Sequence, residues 1–354
     1  MRVLVTGNQG YVGPVVVRHL RRIFPEAYLI GFDTGYFALA TTNAPVWPEQ
    51  ALDEQIIGDI RELPASLLDG VDGVVQLAAI SNDPMGNNFA EVTDQVNRRA
   101  TMHLAERAAS AGVRRFVFAS SCSVYGFAPG APRREIDELK PQTAYARSKV
   151  ESEAAFARLD LRDMVTTSLR FATACGMSDR LRLDLVLNDF VASAIATGTI
   201  TVLSDGTPWR PLIDVRDMAC AIEWALVRPH AAGGPLLSVN VGSNDRNYQV
   251  KDLAEAVAEM IPGTSVSINQ EAQPDTRSYQ VDFALYAGLA PRHQAQVTLA
   301  QSIAMLRDGL TAMGFADPDF RNSPYMRLKM LEGHVRAGRL SNDLRWLETF
   351  LRRE

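Results

Sequence analysis

The chain has 354 residues, of which 47% are hydrophobic and 22% are charged, and its formal net charge is −5. This composition is typical of a globular protein and excludes a disordered or fibrous chain, and the length favours two domains or one large domain with a lobe. The acidic balance disfavours a nucleic-acid partner, and no apolar run approaches the ~18 residues that span a membrane.

The N-terminus leads directly into the first predicted structural element. Two residues precede the strand-like run Val3–Val5, so we expect no signal peptide. The three cysteines, Cys122, Cys175 and Cys220, match neither a disulfide framework nor the spacing of a metal site. We therefore predict a cytoplasmic protein without a bound metal.

Short apolar and β-branched runs alternate with longer helical patterns along the chain, which is typical of βαβ units. Because the runs are apolar throughout, they indicate a parallel sheet covered by helices on both faces, and right-handed crossovers then give a doubly wound α/β fold. The predicted strands are Val3–Val5, Tyr28–Phe32, Gln55–Ile57, Val74–Leu77, Phe116–Ala119, Val165–Leu169 and Ser238–Val241.

The βα pattern loosens after Arg170, returns briefly, and is then lost. We predict a dinucleotide-binding domain of residues 1–175 and 213–242. A smaller, discontinuous substrate-binding lobe comprises residues 176–212 and 243–315 and lies over the carboxyl ends of the strands, where open α/β sheets bind ligands.

Residues 316–354 form a predicted helical C-terminal tail. From Arg321 onward its leucines and arginines indicate one or two amphipathic helices packed against the body. A basic amphipathic helix also suits a membrane surface or a partner protein, but the interspersed acidic residues disfavour that alternative.

A glycine-rich segment, TGNQGYVG at positions 6–13, follows the first strand and precedes the helical run Val15–Ile23. Gly7 permits a tight turn, Gly10 allows the backbone to approach a pyrophosphate, and Gly13 lets the helix pack against the strand. The alternative is a glycine-rich turn without a ligand. The predicted cofactor contacts in this loop are Gly7, Gln9, Gly10, Tyr11, Val12 and Gly13.

The residue that ends the second strand supports a dinucleotide site. Asp33 follows Gly13 by 20 residues, where a carboxylate accepts hydrogen bonds from ribose hydroxyls. No lysine or arginine occurs between Arg22 and Arg61 to neutralise a 2′-phosphate. We therefore predict NAD rather than NADP as the cofactor.

Tyr145 and Lys149 are four residues apart in a predicted helix, so one helical face carries both. An ammonium beside a phenol lowers the pKa of the tyrosine, which suits a general base near neutral pH. Ser121 follows the fifth strand, where its hydroxyl is placed to donate to a reacting oxygen. A serine-rich turn that satisfies its own backbone is the alternative for Ser120 and Ser123.

Cys122 lies in the same segment and suggests a nucleophile. No histidine lies near it in the sequence, which disfavours that hypothesis.

The chain resembles the extended short-chain dehydrogenase/reductase family, the nucleotide-sugar epimerases, dehydratases and ketoreductases that include UDP-galactose 4-epimerase. TGNQGYVG, QLAA, SSCSVYG, YARSK and the segment Asp205–Val215 carry the resemblance over residues 1 to about 315. It implies a Rossmann fold, bound NAD and a nucleotide-diphosphate-sugar substrate. It also implies a homodimer formed through helices at Asn97–Ala111 and Ala144–Phe156.

The resemblance also implies roles for individual residues. The catalytic residues are Ser121, Tyr145 as the base and Lys149 as its partner. Further cofactor contacts are Asp59, Ile60, Leu77, Ala78, Ala79, Asn97, Ser120, Tyr145 and Lys149. The substrate contacts are Ser121, Ser123, Tyr145, Thr173, Asn188, Arg210 and Arg277, with the two arginines gripping the diphosphate.

Three departures from the family pattern bear on the reaction. Gln76 replaces a common histidine, Pro211 replaces the aspartate after the phosphate arginine, and Cys122 and Ser123 replace the acid pair of the 4,6-dehydratases. The expected activity is 4-epimerisation through a transient 4-keto sugar. A keto-sugar reductase is the alternative, dehydration is disfavoured, and a non-catalytic NAD-binding protein is a remote rival.

Overall fold

The computed structural model describes residues 1–42, 46–81, 83–272 and 278–347. Its central feature is a parallel sheet of seven strands in the order β3-β2-β1-β4-β5-β7-β11. The strands are β1 Arg2–Thr6, β2 Tyr28–Asp33, β3 Glu54–Ile57, β4 Gly73–Gln76, β5 Arg115–Ser121, β6 Ala128–Arg133, β7 Val165–Phe171, β8 Thr173–Cys175, β9 Thr199–Val202, β10 Trp209–Asp214, β11 Leu236–Val241, β12 Asn247–Gln249, β13 Ser265–Ile268 and β14 Tyr279–Val281.

The doubly wound α/β fold is confirmed. The central sheet uses all seven predicted strands, and each is parallel to its neighbours. Connections run outward in both directions from the boundary between β1 and β4. Ligands bind at the carboxyl ends of the strands beside such a switch point.

Helices cover both faces of this sheet. Val3 and Val5 pack into one hydrophobic cluster and Leu4 into another, because successive side chains of a strand point to opposite faces. The α-helices are α1 Gly13–Ile23, α2 Asp83–Asn88, α3 Ala90–Thr93, α4 Ala100–Ser110, α5 Ala144–Phe156, α6 Val186–Thr197, α7 Val215–Val227, α8 Val250–Met260, α9 Ala284–Leu289, α10 Leu299–Ala312 and α11 Arg327–Arg336. A π-helical segment, Asp94–Arg99, leads into α4.

The smaller sheets join chain segments on the two sides of residues 213–242. Strand β9 pairs with β13, and β10 pairs with β12 and β8. Both pieces of the predicted lobe therefore contribute to the same small sheets. The larger hydrophobic cluster nevertheless runs without interruption from the central sheet into α6, α8 and α10, so the domain boundaries remain a prediction.

The C-terminal tail packs against the body. Helix α11 is its only α-helix among the described residues, which end at Leu347. Leu331, Leu340 and Leu344 are buried in the second cluster, together with residues of β2 and β4. None of the described helices has the length and apolar character needed to cross a membrane.

Candidate active site

The loop between β1 and α1 adopts the geometry that its glycines predict. Gly7 has φ of +73°, and a Cβ there would lie 2.5 Å from the backbone nitrogen of Ala78. A Cβ on Gly13 would lie 2.2 Å from the carbonyl oxygen of Asn8. Gly10 meets only the oxygen of Gly7, at 3.2 Å, within 4 Å of such a position. The loop is therefore tightly packed at its two ends and open at Gly10.

Asp33 lies at the end of β2 against this loop. Its carboxylate accepts hydrogen bonds from the backbone N–H groups of Gln9, at 2.9 Å, and Gly35, at 2.8 Å. Burial raises the pKa of Asp33, and these two hydrogen bonds oppose the shift. The carboxylate is thus held beside the glycine loop, where a ribose is expected in this fold.

The predicted catalytic residues come together at the carboxyl end of β5. Thr143 caps α5 by accepting a hydrogen bond from the backbone of Ala146, which sets the first turn that carries Tyr145. Ser121 and Tyr145 line the same cavity, and the Ser121 side chain interacts with the Tyr145 phenol. The Lys149 ammonium lies 5.4 Å from the ring centre of Tyr145.

The expected low pKa of Tyr145 is wrong for the cofactor-free protein. Burial raises the pKa of Tyr145 to about 12, outweighing the positive charge of Arg182 and the hydrogen bond from Ser121. The Lys149 side chain is itself only 3% exposed, and burial lowers its pKa to about 7. Removal from water destabilises the charged form of each group, and at each one this effect is larger than the contributions that oppose it.

A buried ion pair supports the catalytic helix. Glu153 accepts hydrogen bonds from Arg170 at 2.7 Å and from the Ser120 hydroxyl at 2.5 Å. Glu153 lies one turn beyond Lys149, and its charge opposes the burial that lowers the lysine pKa. Sequence reasoning missed this network, although the spacing of Tyr145, Lys149 and Glu153 on one helical face was a usable signal.

One cavity of about 940 Å³ joins the glycine loop to the catalytic residues. This volume is within the range of ligand and cofactor sites, about 300–1,000 Å³. Most of the predicted site residues line it: Gly7, Gly10, Tyr11, Val12, Gly13, Asp33, Asp59, Ile60, Leu77, Ala78, Ala79, Ser120, Ser121, Ser123, Tyr145, Lys149, Thr173 and Arg210.

Three of the predicted contact residues that the structure describes do not line the cavity: Gln9, Asn97 and Asn188. Gln9 is 6% exposed and uses its backbone N–H on Asp33. Asn97 bonds through its side chain to both backbone groups of Ile80 and to Ser148 of α5.

Asn188 is fully buried. It accepts from the N–H of Gly176 and donates to the Tyr11 hydroxyl and the Arg182 carbonyl. The side chains of Asn97 and Asn188 are thus hydrogen-bonded within the protein and hold the surrounding loops, and their ligand contacts stay predictions. Arg277 lies outside the described residues.

The cavity also contains polar residues that sequence reasoning missed. Arg182 donates to Asp184 at 2.5 Å, and its charge lowers the pKa of Tyr145 while that of Asp83 raises it. Tyr279 on β14 also lines the cavity, where burial raises its pKa and the charge of Arg210 and the Thr173 side chain oppose that shift. These residues come from parts of the chain that are distant in sequence, so no local spacing marked them.

Cys122 is not an active nucleophile in this arrangement. It is fully buried, its thiol donates to the backbone oxygen of Arg170, and burial raises its pKa. The adjacent Ser123 lines the cavity, and its hydroxyl has no hydrogen-bond partner among the described residues. The structure therefore leaves Ser123, and not Cys122, available to a ligand.

The model of the NAD dependent epimerase/dehydratase family matches residues 3–242. The chain therefore belongs to that family, and the resemblance to extended short-chain dehydrogenases is confirmed. It is a member of an NAD-dependent group of nucleotide-sugar epimerases, dehydratases and decarboxylases.

Three relatives illustrate this range. UDP-glucose 4-epimerase of Streptomyces lividans is 29% identical over 72% of this chain and 80% of its own length. UDP-glucuronic acid decarboxylase 6 of Arabidopsis thaliana is 25% identical over 91% of this chain and 89% of its own. The structure of MoeE5 in complex with UDP-glucose and NAD has a TM-score of 0.72 and 26% identity, and covers 88% of this chain and 99% of MoeE5.

The residues present fit NAD, the cofactor of this family. The open backbone at Gly10 and the start of α1 suit a diphosphate, and the Asp33 carboxylate suits ribose hydroxyls. Leu77, Ala78 and Ala79 place small or apolar surface along the same cavity.

Proposed function

We propose that the protein is an NAD-dependent nucleotide-diphosphate-sugar epimerase that acts at C4 of the sugar. The proposal rests on one observation: Ser121 and Tyr145 line the same cavity as the glycine loop and Arg210. This cavity has room for a dinucleotide at one end and for a second phosphate-bearing ligand at the other.

Residues of the chain transfer the proton at C4 and bind the substrate diphosphate. Tyr145 accepts the proton of the C4 hydroxyl, and Ser121 stabilises the same oxygen by a hydrogen bond. Arg210 binds the substrate diphosphate, since its fork of donors matches paired phosphate oxygens. NAD, held by the glycine loop and Asp33, would supply the hydride acceptor and donor for C4. Tyr145 then gives its proton back to the 4-keto oxygen.

The site supports return of the hydride without elimination of water. In 4,6-dehydratases an acid and a base occupy the positions of Cys122 and Ser123, and neither side chain here is a carboxylate. Asp184 is paired with Arg182. The other carboxylate that acts on Tyr145 is Asp83, whose charge raises the pKa of the tyrosine.

A keto-sugar reductase is the second candidate, and the pKa of Tyr145 favours it. A phenol with a pKa near 12 keeps its proton at neutral pH, which suits protonation of a ketone. The two candidates differ in whether the nicotinamide is regenerated in place or exchanged with solution.

Incubation with a panel of UDP- and dTDP-sugars in D₂O, without added NADH, tests the proposal. We expect the C4 epimer to appear in the proton NMR spectrum with no deuterium bound to the sugar carbons. Turnover only with stoichiometric NADH would indicate the reductase, deuterium at C5 or C6 would indicate elimination, and release of CO₂ from a uronic acid would indicate decarboxylation. Each of these results would contradict epimerisation.

We also propose a homodimer through the surface formed by the segment Asn97–Ala111 and α5. The support is the family resemblance together with the exposed side chains of His103, Arg147 and Glu151 on this surface. One chain has a mass of 38.8 kDa, and light scattering after gel filtration is expected to give twice that mass. A monomeric mass at micromolar concentration would contradict the proposal.

A cytoplasmic location is the last part of this proposal. All three cysteines are free, and Cys122 and Cys175 are buried, which is compatible with a reducing compartment. Cell fractionation is expected to recover the protein with cytoplasmic markers, and recovery outside the cell would contradict it.

A further inference from the structure

Arg327, the first residue of α11, is a buried cation inside the cavity. It is 2% exposed and lines the cavity wall. One terminal nitrogen, Nη2, donates to the backbone oxygen of Arg180 at 2.7 Å. The other, Nη1, is buried and has no hydrogen-bond partner among the described residues. A buried charged donor without a partner is costly, so this arrangement suits an anionic ligand.

The charges around Arg327 do not compensate it. The nearby Arg182 and Arg180 act with burial to lower the pKa of Arg327 to about 9, and only Asp184 and Tyr11 oppose them. Asp184 already forms an ion pair with Arg182. Within the described residues, Arg327 therefore has no carboxylate of its own.

The position of Arg327 points to the dinucleotide end of the cavity. Its guanidinium lies 4.2 Å from the ring centre of Phe37, which follows Asp33 in the loop after β2. Tyr11 of the glycine loop lies within its electrostatic range. Arg210, the candidate for the substrate diphosphate, lies instead within electrostatic range of Tyr279.

The C-terminal segment holds Arg327 in this place. His334 donates to the backbone oxygen of Tyr36 at 3.0 Å, and the Trp346 indole donates to that of Thr34 at 2.6 Å. Both acceptors belong to the loop that begins directly after Asp33. The tail is therefore anchored along the edge of the site where the cofactor ribose is expected.

The glycine loop lacks a cation. Residues 7–13 contain no lysine or arginine, and their contribution to anion binding is limited to backbone N–H groups and the start of α1. We propose that Arg327 binds the diphosphate of the dinucleotide cofactor and supplies, from the C-terminal tail, the positive charge that this loop does not have. The proposal does not depend on which sugar reaction follows.

Calorimetric titration of Arg327→Gln, freed of bound nucleotide, tests this proposal with three probes: NAD, adenosine and UDP. Loss of a charge-assisted interaction should weaken NAD binding by about 10- to 100-fold. Adenosine has no phosphate, and its affinity should stay within about twofold of the parent, as should that of UDP. Arg336→Gln is the matched control because Arg336 is exposed at the other end of the same helix, and it should leave all three affinities unchanged.

Three outcomes would overturn the proposal. Unchanged NAD affinity would show that Arg327 does not contact the cofactor, and an equal loss for NAD and adenosine would show a purely structural role. A loss for UDP alone would assign Arg327 to the substrate diphosphate. If Arg327→Gln does not fold, Arg327→Lys is measured instead. This variant keeps the positive charge but loses the planar fork of guanidinium donors. We expect a several-fold loss of affinity for NAD alone, and unchanged NAD affinity would overturn the proposal. Because binding is measured without turnover, failure of the epimerase proposal leaves this test intact.

Discussion

Lys149 should make the cofactor-free protein more stable as the pH rises above neutrality. Burial lowers the pKa of Lys149 from 10.5 to about 7 in the folded state. In the unfolded chain the amine keeps its proton to about pH 10. Between about pH 7 and pH 9 the unfolded state therefore binds one proton more than the folded state, so the free energy of unfolding increases with pH.

The expected size is a tenfold increase in the folded-to-unfolded ratio per pH unit, because one proton is linked to unfolding in this range. Lys149→Met removes the titrating group and should remove this dependence. Buried tyrosines and cysteines such as Tyr145 and Cys122 have raised pKa values and act in the opposite direction above about pH 9, which sets the upper limit of the useful range.

The assay is urea unfolding of nucleotide-free protein, followed by tryptophan fluorescence, at several pH values from 7 to 8.5. The quantity of interest is the difference in slope between the parent and Lys149→Met. Lys140→Met serves as the control because the Lys140 side chain is 56% exposed, and it should retain the parent slope. Equal slopes for the parent and Lys149→Met would refute the argument that burial, and not the neighbouring phenol, controls this lysine.

Two further predictions concern the ligands. Asp33→Ala should weaken NAD binding by about 10- to 100-fold, because charge-assisted hydrogen bonds are lost, and should reduce the preference for NAD over NADP. Both affinities are measured by calorimetry, and equal affinity of the parent protein for the two cofactors would overturn the assigned role of Asp33. Arg210→Ala should raise the apparent KM for the nucleotide sugar about 10-fold or more, with a smaller change in kcat. Arg292 is exposed, so Arg292→Ala should change neither constant. Steady-state kinetics of Arg210→Ala equal to those of the parent would place the diphosphate elsewhere.

The central sheet and the cofactor loop were predictable because their signals are local. The inner strands of the sheet are buried on both faces and were visible as apolar runs, and Val165–Phe171 is buried at every position. Gly7 and Gly13 have no room for a side chain, so their spacing carried structural information directly. Tyr145 and Lys149 needed only the period of a helix to share one face.

The parts of the site that the sequence did not reveal depend on long-range contacts. The contact from Arg327 to Arg180 and that from Tyr36 to Leu344 join distant parts of the chain, and no periodic pattern encodes them. Asn97 and Asn188 show a second limit. An asparagine suits a ligand or a neighbouring backbone equally well, and only the fold shows that both side chains are already used within the protein.

The shift of Tyr145 shows a third limit of reasoning from spacing. The lysine one turn away was expected to lower its pKa, but Lys149 is buried, Tyr145 is half-buried in the cavity, and removal from water raises the tyrosine pKa. Burial cannot be read from the spacing of two polar residues alone, and it reversed the sign of the expected shift.

Single-turnover hydride transfer in Tyr145→Phe tests the central claim most directly. Nucleotide sugar is mixed with NAD-loaded protein, and the absorbance of the reduced nicotinamide is followed in the parent, Tyr145→Phe and Ser121→Ala. Tyr145→Phe should fold and bind NAD normally but lose about 10²- to 10⁴-fold in rate, as is typical for removal of a general base, and Ser121→Ala should lose less. Hydride transfer at the parent rate in Tyr145→Phe, with normal NAD binding, would contradict the assignment of Tyr145 as the base.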